Sequence, residues 1–341
     1  MVSSELPDLG TRDLLITGAT GFLGGEFVRS LIRAGMPAAR IRCIVRDRAR
    51  ASAVGIPTDR LHAADLADST PGALAAAATG VGVVVHMAGA VKAWRPSEYE
   101  AVNVEGTRNL LAAVAAQSPL AHFVFVSSLA AAGPSIDGAG SSEAPERCRP
   151  VSHYGESKRR AESLVAAGSL PWTIVRPPAI YGAGDAATRL LFRQSCAPIA
   201  VVPRRARPLS VIAVDDVVDA LQRAVVRRPH GAVLPLDGPE RTDTHTLVRA
   251  IARACGRRAR LVGVPMAVAY AAATVCDQFA ALRRSASFFS RDKVREIRAR
   301  GWVADGGPAR SLLDFEPAVA LADGLAAVAR REGFVLTSAT A

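Results

Sequence analysis

The sequence is poor in cysteine, with five residues in a chain of 341, and these are odd in number and widely spaced. That pattern excludes a disulfide framework and a paired CxxC metal site. The cysteines are Cys43, Cys148, Cys196, Cys255 and Cys276. The first residues carry acids where a secretory signal would carry positive charge. We therefore expect a cytoplasmic protein with reduced thiols and no metal ion.

Long hydrophobic runs are also missing. The apolar run over residues 263–276 has 14 residues, whereas crossing a bilayer takes roughly 18 or more. A transmembrane helix is therefore excluded for this run. We expect a buried helix that faces the substrate cleft, with dimerisation or contact with a membrane surface as the alternatives.

Lysine is rare, since only 3 of the 42 basic residues are lysines. Residues 1–170 carry 17 bases and 16 acids, but residues 171–341 carry 25 bases and 15 acids, so the positive charge lies in the second half. Genome composition can produce this arginine bias. The arginines follow no nucleic-acid motif, so we expect no nucleic-acid partner. The other interpretation is an acidic substrate, carrier or membrane surface.

Between residues 11 and 180, short apolar runs alternate with longer helical patterns. Strands that are apolar on both faces and separated by helices predict a doubly wound α/β domain with a parallel sheet. The texture then changes to stretches rich in Pro, Gly and Arg. We expect residues 209–238 to return to the main sheet. Residues 181–208 and 239–335 would form a smaller C-terminal substrate-binding lobe, with the substrate pocket between the two parts.

The first predicted strand runs into the glycine triplet Gly18, Gly21 and Gly24, and an amphipathic helix follows at once. The three glycines would allow a tight turn, close approach of a pyrophosphate and close packing of the helix on the strand. The start of the helix then offers free N–H groups and positive dipole to phosphates. This setting predicts a dinucleotide site.

The second predicted strand ends at Arg46, where an NAD-binding protein would be expected to carry an acid on the ribose hydroxyls. An arginine suits a 2′-phosphate better, so we expect NADP(H), although Asp47 next to it leaves NAD(H) open. Asp65, after the third strand, would contact the adenine or cap a helix.

Tyr154 and Lys158 lie four residues apart at the start of a predicted helix, so they project from one face of it. An ammonium there would stabilise a phenolate. A tyrosine of ordinary pKa, near 10, is otherwise a poor proton exchanger at neutral pH.

With these motifs the chain resembles the extended short-chain dehydrogenase/reductase family, in its hydroxysteroid dehydrogenase and dihydroflavonol reductase branch. The matching segments are TGATGFLGG, VVHMAGA, NVEGT, FVFVSS, YGESK, VRPPAIYG and VDDVVDAL. The resemblance implies a Rossmann fold and hydride transfer between nicotinamide and a carbonyl or alcohol. It assigns Ser128 to the substrate oxygen, Tyr154 to proton exchange, and Lys158 to the nicotinamide ribose and to lowering the tyrosine pKa. It also implies a homodimer through the helices that carry Asn103 and Tyr154.

The residues expected to contact the dinucleotide, from the turn and from the resemblance, are Gly18, Thr20, Gly21, Phe22, Leu23, Gly24, Arg46, Asp65, Leu66, Ala88, Gly89, Asn103, Tyr154, Lys158 and Pro177. The substrate candidates are Lys92, Trp94, Tyr181, Asp185 and Arg189. His86 is expected to be a packed or hydrogen-bonded residue at the end of a strand.

Three functions remain in competition. Nucleotide-sugar epimerases and dehydratases of the same family bind a diphosphate with an arginine where this chain has Leu209, which disfavours that reading unless Arg205 or Arg207 takes over the role. The apolar segment from Leu129 to Ala132 favours a hydrophobic ketone or alcohol instead, such as a lipid, steroid or secondary metabolite. The third alternative is a non-catalytic dinucleotide-binding scaffold.

Overall fold

The computed structural model describes residues 9–51, 55–68, 71–135, 147–283 and 289–335. Seven strands form one sheet in which every neighbouring pair is parallel. They are β1 (Asp13–Thr17), β2 (Ile41–Val45), β3 (Leu61–Ala63), β4 (Val81–His86), β5 (His122–Val126), β6 (Trp172–Arg176) and β10 (Ala232–Pro235). Their order is β10-β6-β5-β4-β1-β2-β3. The predicted doubly wound α/β sheet is confirmed.

The strand order reverses between β1 and β4, which pair with each other at the centre of the sheet. Chain connections leave this point in opposite directions, so a crevice opens at the carboxyl ends of the two strands. Strands β1, β4 and β5 are buried along their whole length, as apolar runs in a sheet covered on both faces require.

Helices cover both faces of the sheet. On one face, α1 (Phe22–Arg33), α9 (Val214–Arg227) and α13 (Gly307–Leu313) share one apolar core with the strands. On the other, α3 (Pro71–Ala78), α5 (Gly106–Gln117) and α7 (His153–Ala167) share a second core. Three short helices lie near the crevice: α2 (Arg48–Ala51), α4 (Pro96–Tyr99) and α6 (Leu129–Ala132). A π-helical stretch, Glu100–Glu105, joins α4 to α5.

The remaining elements build a separate region over the carboxyl edge. Strands β7 (Ala179–Tyr181), β9 (Pro208–Ala213) and β11 (Arg241–Asp243) form a three-stranded sheet, and β8 (Ile199–Pro203) pairs with β12 (Arg260–Val264). Helices α8 (Ala186–Ser195), α10 (Thr244–Ala254) and α14 (Leu321–Arg331) contribute to a third apolar core. Helices α11 (Met266–Leu282) and α12 (Arg291–Arg298) pack against each other.

The structure corrects two of the expected boundaries. Within residues 209–238, β10 does join the main sheet, but β9 pairs with β7 and β11 instead, because the chain crosses to the smaller region before α9 returns. In the opposite sense, α13 lies in the predicted smaller lobe by sequence. Its side chains Ala309 and Leu313 nevertheless belong to the core of the main sheet, as does Phe315 just after it.

The apolar run over residues 263–276 also differs from expectation. Most of it forms α11, and among its described side chains only Ala273 is fully buried. The prediction of a buried helix facing the cleft is therefore wrong. No helix in the described ranges is both long and apolar enough to span a membrane.

Helix α13 offers a matched pair of leucines for testing its place in the main core. Leu313 is completely buried, whereas the preceding Leu312 is 46 % exposed. We expect Leu313→Ala to lower the free energy of unfolding by about 2–5 kcal/mol, because it leaves a cavity in the core. Leu312→Ala should lower it by less than about 1 kcal/mol. Urea unfolding measures both, and equal effects would contradict the assignment of α13 to this core.

Candidate active site

The turn after β1 is shaped by two contacts that exclude side chains. Gly18 has a positive φ of 78°, and a Cβ there would lie 2.7 Å from the amide nitrogen of Ala88. A Cβ at Gly24 would lie 2.1 Å from the carbonyl oxygen of Gly18. Only glycine therefore lets α1 approach β1 and lets β1 approach the segment after β4. The close packing predicted for this motif is present.

The start of α1 is open to a phosphate group. Its N-cap residue, Gly21, has no side chain and makes no cap hydrogen bond to the first amides of the helix. The first amides of the helix, at Phe22, Leu23 and Gly24, have no acceptor within the preceding turn of helix. Thr20 and Gly21 are exposed beside them. This glycine-lined cradle at a positive helix end fits the pyrophosphate of a dinucleotide.

Positive charge gathers where β2 ends. Arg46 is exposed there, and the carboxylate of Asp47 accepts a hydrogen bond from Ala49 N at 2.8 Å, so Asp47 serves the start of α2. On the neighbouring β3, the pKa of His62 is lowered, first by burial and then by the charges of Arg42, Arg48 and Arg60. Arg42 and Arg60 are themselves paired with Asp13, at the start of β1, at 2.7 and 3.0 Å. The end of β2 therefore offers Arg46 and Arg48 to an anionic group.

Two predicted cofactor residues after β3 have local partners. Asp65 is exposed and accepts a hydrogen bond from Ala67 N at 3.0 Å, which is a turn rather than a helix cap. The side chain of Leu66 lies in the apolar core, and its carbonyl accepts a hydrogen bond from Asn109 at 2.9 Å. Contact of either residue with adenine stays a prediction.

His86 ends β4 inside a chain of hydrogen bonds. The Thr107 hydroxyl donates to Asn103 O at 2.7 Å, so it accepts from Nε2 of His86 at 2.9 Å. Nδ1 then accepts from the Thr17 hydroxyl at 2.6 Å, and Thr17 accepts from Ala88 N at 3.1 Å. A single neutral tautomer satisfies every member of this chain. Burial, followed by the charge of Lys158, lowers the pKa of His86 to about 3. The expectation of a hydrogen-bonded residue at the end of a strand is confirmed.

Asn103 lies in the π-helical stretch and fastens the segment after β4 to α7. Its side chain accepts from Ala90 N at 2.7 Å and donates to Ala90 O at 3.0 Å and to the Ser157 hydroxyl at 2.9 Å. A Cβ at Gly89 would lie 3.1 Å from the Asn103 side-chain oxygen and 3.8 Å from Nζ of Lys158. The space beside Gly89 is therefore bounded by the amide of Asn103 and the ammonium of Lys158.

The three predicted catalytic residues converge at the ends of β5 and α7. Ser128 follows β5 as the N-cap of α6, and its hydroxyl accepts from Ala130 N at 3.1 Å. Tyr154 is the second residue of α7 and is hydrogen-bonded to Ser128. One turn later, Lys158 donates to Val126 O at 2.7 Å and lies 4.2 Å from the centre of the Phe125 ring.

The electrostatics of this group differ from the expectation. Burial raises the pKa of Tyr154 to about 12, the hydrogen bond to Ser128 opposes the shift, and the charge of Glu296 adds to it. Burial also lowers the pKa of Lys158 to about 8, with the carboxylate of Glu162 opposing. The expected lowering of the tyrosine pKa by Lys158 is not seen, because burial dominates at the phenol and the ammonium is bound to the β5 carbonyl.

A buried ion pair that sequence reasoning missed lies behind the three. Arg176, at the end of β6, forms two hydrogen bonds of 2.7 and 2.8 Å with Glu162 of α7. The hydroxyl of Ser127 donates to the same carboxylate at 2.6 Å. A signal was present, since Glu162 stands one helical turn after Lys158 on the same face of α7.

The reactive side of Tyr154 and Ser128 opens into a cavity of about 390 Å³ between the two parts of the molecule. Leu129 and Ala130 form one wall, as the sequence predicted. Other apolar lining comes from the chain at the start of β7, from the start of β9, and from α12 and the chain after it, namely Pro178, Ala179, Pro208, Leu209, Ile297 and Trp302. Arg207 is among the charged residues of the lining. Pro177, a cofactor candidate, is buried beside this wall, where its carbonyl accepts from Leu129 N.

Helix α12 covers the start of α7 with two carboxylates. No sequence motif predicts this contact. Asp292 accepts from His153 N at 2.8 Å and from Tyr154 N at 3.4 Å. Glu296 accepts from the hydroxyl of Ser152, the N-cap of α7, at 2.7 Å. Negative charge at a helix start is stabilising. Because α12 is more than 130 residues away along the chain, only the tertiary structure identifies this contact.

The structure separates the five substrate candidates. Lys92 lines the cavity at Tyr154, and Trp94 lines a neighbouring cavity with His153 and Asp292. The other three are corrected. Tyr181 is buried against Gly324 in the third core, Asp185 caps α8, and Arg189 is ion-paired with Glu332 at 2.8 Å. Each of the three makes a structural contact outside the lining of the cavity.

Comparison with known proteins agrees with this geometry. The sequence profile of the NAD dependent epimerase/dehydratase family matches residues 14–234. A ceramide reductase of Caulobacter vibrioides is 34 % identical over 302 residues, which are 86 % of each chain. The crystal structure of gox2253 has a TM-score of 0.73, with 26 % identity over 95 % of this chain and 100 % of that one. MoeE5 in complex with UDP-glucuronic acid and NAD has a TM-score of 0.71, with 24 % identity over 94 % of this chain and 99 % of that one, and shares the fold.

The neutral state of His86 predicts a dependence of stability on pH. An unfolded histidine has a pKa near 6.5, so between about pH 6.5 and pH 3 the unfolded chain binds one proton more than the folded chain. This histidine therefore makes the free energy of unfolding fall as the pH falls through that window, by up to about 1.4 kcal/mol per pH unit.

We expect His86→Gln to flatten this slope, because glutamine carries no titrating proton. The melting temperature measured from pH 7 to pH 4 gives the slope. His230→Gln, at an exposed imidazole, is the matched control and should keep the wild-type slope. A His86→Gln slope as steep as that of the wild type would contradict a neutral buried ring.

Proposed function

The chain belongs to the NAD-dependent epimerase/dehydratase family, and within it we propose that this enzyme uses NADP(H) to reduce the carbonyl group of a hydrophobic small molecule. The proposal covers a ketone or aldehyde and, in reverse, the alcohol. Among the possible substrates we rank a lipid ketone related to ceramide first, because the ceramide reductase matches 86 % of the chain.

The reaction balances without further reactants. A nicotinamide dinucleotide, when bound, would supply the hydride that reduces the carbonyl carbon. Tyr154 gives its phenolic proton to the carbonyl oxygen, so the C=O double bond becomes an alcohol, and the phenolate regains a proton from solvent. Ser128 donates a hydrogen bond to the same oxygen and orients the carbonyl. Lys158, whose ammonium donates to Val126 O and which lies on the same face of α7 as Tyr154, would hold the ribose of the bound dinucleotide.

The observation that carries the proposal is the position of Tyr154. It stands beside Ser128 in the cavity wall. The phenol is protonated at neutral pH, and in that position it can give its proton to a carbonyl oxygen. Burial raises its pKa to about 12, which by itself makes it a weaker acid, so the position of the phenol and not the shift supports this role.

The lining of the cavity supports a hydrophobic substrate. Apolar side chains surround Tyr154 on the α6 side and on the β9 side. Leu209 lines the cavity where related nucleotide-sugar enzymes would carry an arginine for the diphosphate. An apolar group in this position gains free energy by leaving water, at roughly 25 cal/mol per Å² of buried area.

A specific observation also favours a second candidate, the nucleotide-sugar epimerase or dehydratase. Arg207 lines the cavity, and its buried Nε has no hydrogen-bond partner among the described residues. A guanidinium in that state suits an oxygen of the substrate, such as a diphosphate oxygen. MoeE5, which shares the fold, has been crystallised with UDP-glucuronic acid and NAD.

Turnover by a Tyr154→Phe variant tests the role of the phenol. We expect the rate of NADPH oxidation to fall by about 10²–10⁴-fold, because the proton donor is lost. Binding of NADPH, followed by fluorescence titration, should change little. The assay uses long-chain 3-oxo lipids, steroid ketones and UDP- and dTDP-sugars as separate substrates.

Turnover of the sugar nucleotides together with silence on every ketone would replace the first candidate by the second. An unchanged rate in Tyr154→Phe would remove the catalytic role of the phenol. Binding of NADPH with no turnover of any class by the wild type would favour a scaffold.

Selectivity for NADPH is tested at Arg46. We propose that this exposed arginine meets the 2′-phosphate, since Asp47 is engaged by Ala49 N and Arg48 lies exposed beside it. We expect Arg46→Ser to weaken NADPH binding by about tenfold or more, because one charge-assisted contact is lost, and to leave NADH binding nearly unchanged.

Arg108→Ser, at an exposed arginine of α5, is the matched control and should leave the affinities for both dinucleotides as they are. Titration of each variant with the two dinucleotides measures the effect. Equal weakening of NADPH and NADH would remove Arg46 from the selectivity.

A further inference from the structure

Helix α11 presents an apolar stripe to solvent. Val268, Ala272, Val275 and Phe279 are all exposed and are spaced as one face of a helix, while Ala273 points to the protein. Phe279 is 59 % exposed and Val268 57 %. A surface helix of a globular protein normally turns such a stripe inward. Contiguous exposed apolar surface marks an interaction site.

The elements before α11 continue this pattern. Ile199 and Val201 lie two residues apart on β8, so they share a face, and both are exposed. Val262 of β12 pairs in register with Val201 and is exposed as well. Strand β12 then leads through Pro265 directly into α11. Exposed apolar side chains therefore recur on two adjacent elements of the same region.

Basic residues flank the stripe. Residues 257–300 contain ten arginines and lysines against three acidic residues. None of the ten lies between 261 and 282, so they stand at both ends of α11. Two of the three acids, Asp292 and Glu296, bind the start of α7 and also pair with Arg295 at 3.7 Å and with Lys293 at 2.7 Å. The third, Asp277, is paired with Arg291 at 2.9 Å. Seven of the ten bases are then in excess of the acids.

We propose that α11 and its basic flanks dock on the surface of an anionic phospholipid bilayer. The helix would lie in the plane of the interface, with Val268, Val275 and Phe279 among the acyl chains and the arginines among the headgroup phosphates. Its 17 residues are about 25 Å long. The helix lies flat on the membrane and does not cross it.

The charge pattern distinguishes a bilayer from a second copy of the chain. In a two-fold symmetric contact the same patch meets itself, so the basic flanks of one copy would approach those of the other. Like charges oppose that arrangement. An anionic surface instead attracts each arginine near it.

The docking surface adjoins the cavity of the candidate active site. Helix α12 packs against α11 on one side and lines the cavity with Asp292, Glu296 and Ile297 on the other. The pair Arg291–Asp277 fastens the two helices together. A docked α11 would therefore bring the cavity within one helix of the bilayer. Transfer of a lipid ketone from the membrane rests on the proposed function, whereas the docking itself does not.

Sedimentation of the full chain with vesicles tests the proposal without a substrate. We expect binding to vesicles of phosphatidylcholine with 30 % phosphatidylglycerol to exceed binding to pure phosphatidylcholine by about tenfold or more, since several arginines contribute. Raising the salt concentration from 0.1 M to 1 M should weaken the binding, because the charges are then screened. Absence of binding to both kinds of vesicle would overturn the proposal.

The double variant Val275→Glu with Phe279→Glu tests the stripe. We expect it to lose at least about tenfold in vesicle binding, because acids replace apolar side chains in an anionic interface. Leu120→Glu, at a residue 72 % exposed between α5 and β5, is the matched control and should bind vesicles as the wild type does. Unchanged melting temperatures and NADPH binding show that both variants are folded.

Equal vesicle binding by the double variant and the wild type would overturn the role of α11. Light scattering after gel filtration measures the oligomeric state and so tests whether a second copy of the chain occupies this surface. A dimer that the double variant dissolves, combined with no vesicle binding, would assign the surface to a second copy. A dimer formed through α5 and α7 would persist in the variant.

Discussion

The buried contact between Arg176 and Glu162 holds the candidate active site together. The guanidinium comes from the end of β6 and the carboxylate from α7, and the hydroxyl of Ser127 at the end of β5 completes the set. Both charged side chains are almost fully withdrawn from water. A buried charge that loses its partner costs about 3–5 kcal/mol, so the pair strongly disfavours any shift of α7 along the sheet. Tyr154 and Lys158 lie on the same helix, so the Arg176–Glu162 pair also fixes their positions.

The sequence predicted the parts of the site that depend on local pattern. The tight turn at Gly18 and the helix start at Gly21 belong to one short segment, and the spacing of Tyr154 and Lys158 belongs to another. Parallel strands then bring their carboxyl ends to one edge, so the crevice follows from the alternation of strands and helices. For this reason the sheet and its central crevice agree with the prediction.

The sequence could not predict features that depend on distant packing. The capping of α7 by Asp292 joins segments about 140 residues apart, and no local pattern marks it. The same holds for β9, whose apolar side chains suit either sheet. The prediction of a buried α11 is wrong for another reason. Apolar composition alone does not determine whether a helix packs against the protein or faces outward. The raised pKa of Tyr154 likewise depends on burial and on Glu296, neither of which its helix spacing shows.

Helix α12 has two structural roles, and the same residues serve both. It lines the cavity that Tyr154 and Ser128 face. Its carboxylates, Asp292 and Glu296, accept hydrogen bonds from the start of α7, the helix that carries Tyr154. Moving α12 away from the cavity would break its hydrogen bonds to the first turn of α7 and would also take the negative charge of Glu296 away from Tyr154. Access for a bulky molecule and the acidity of the proton donor therefore both depend on the position of α12.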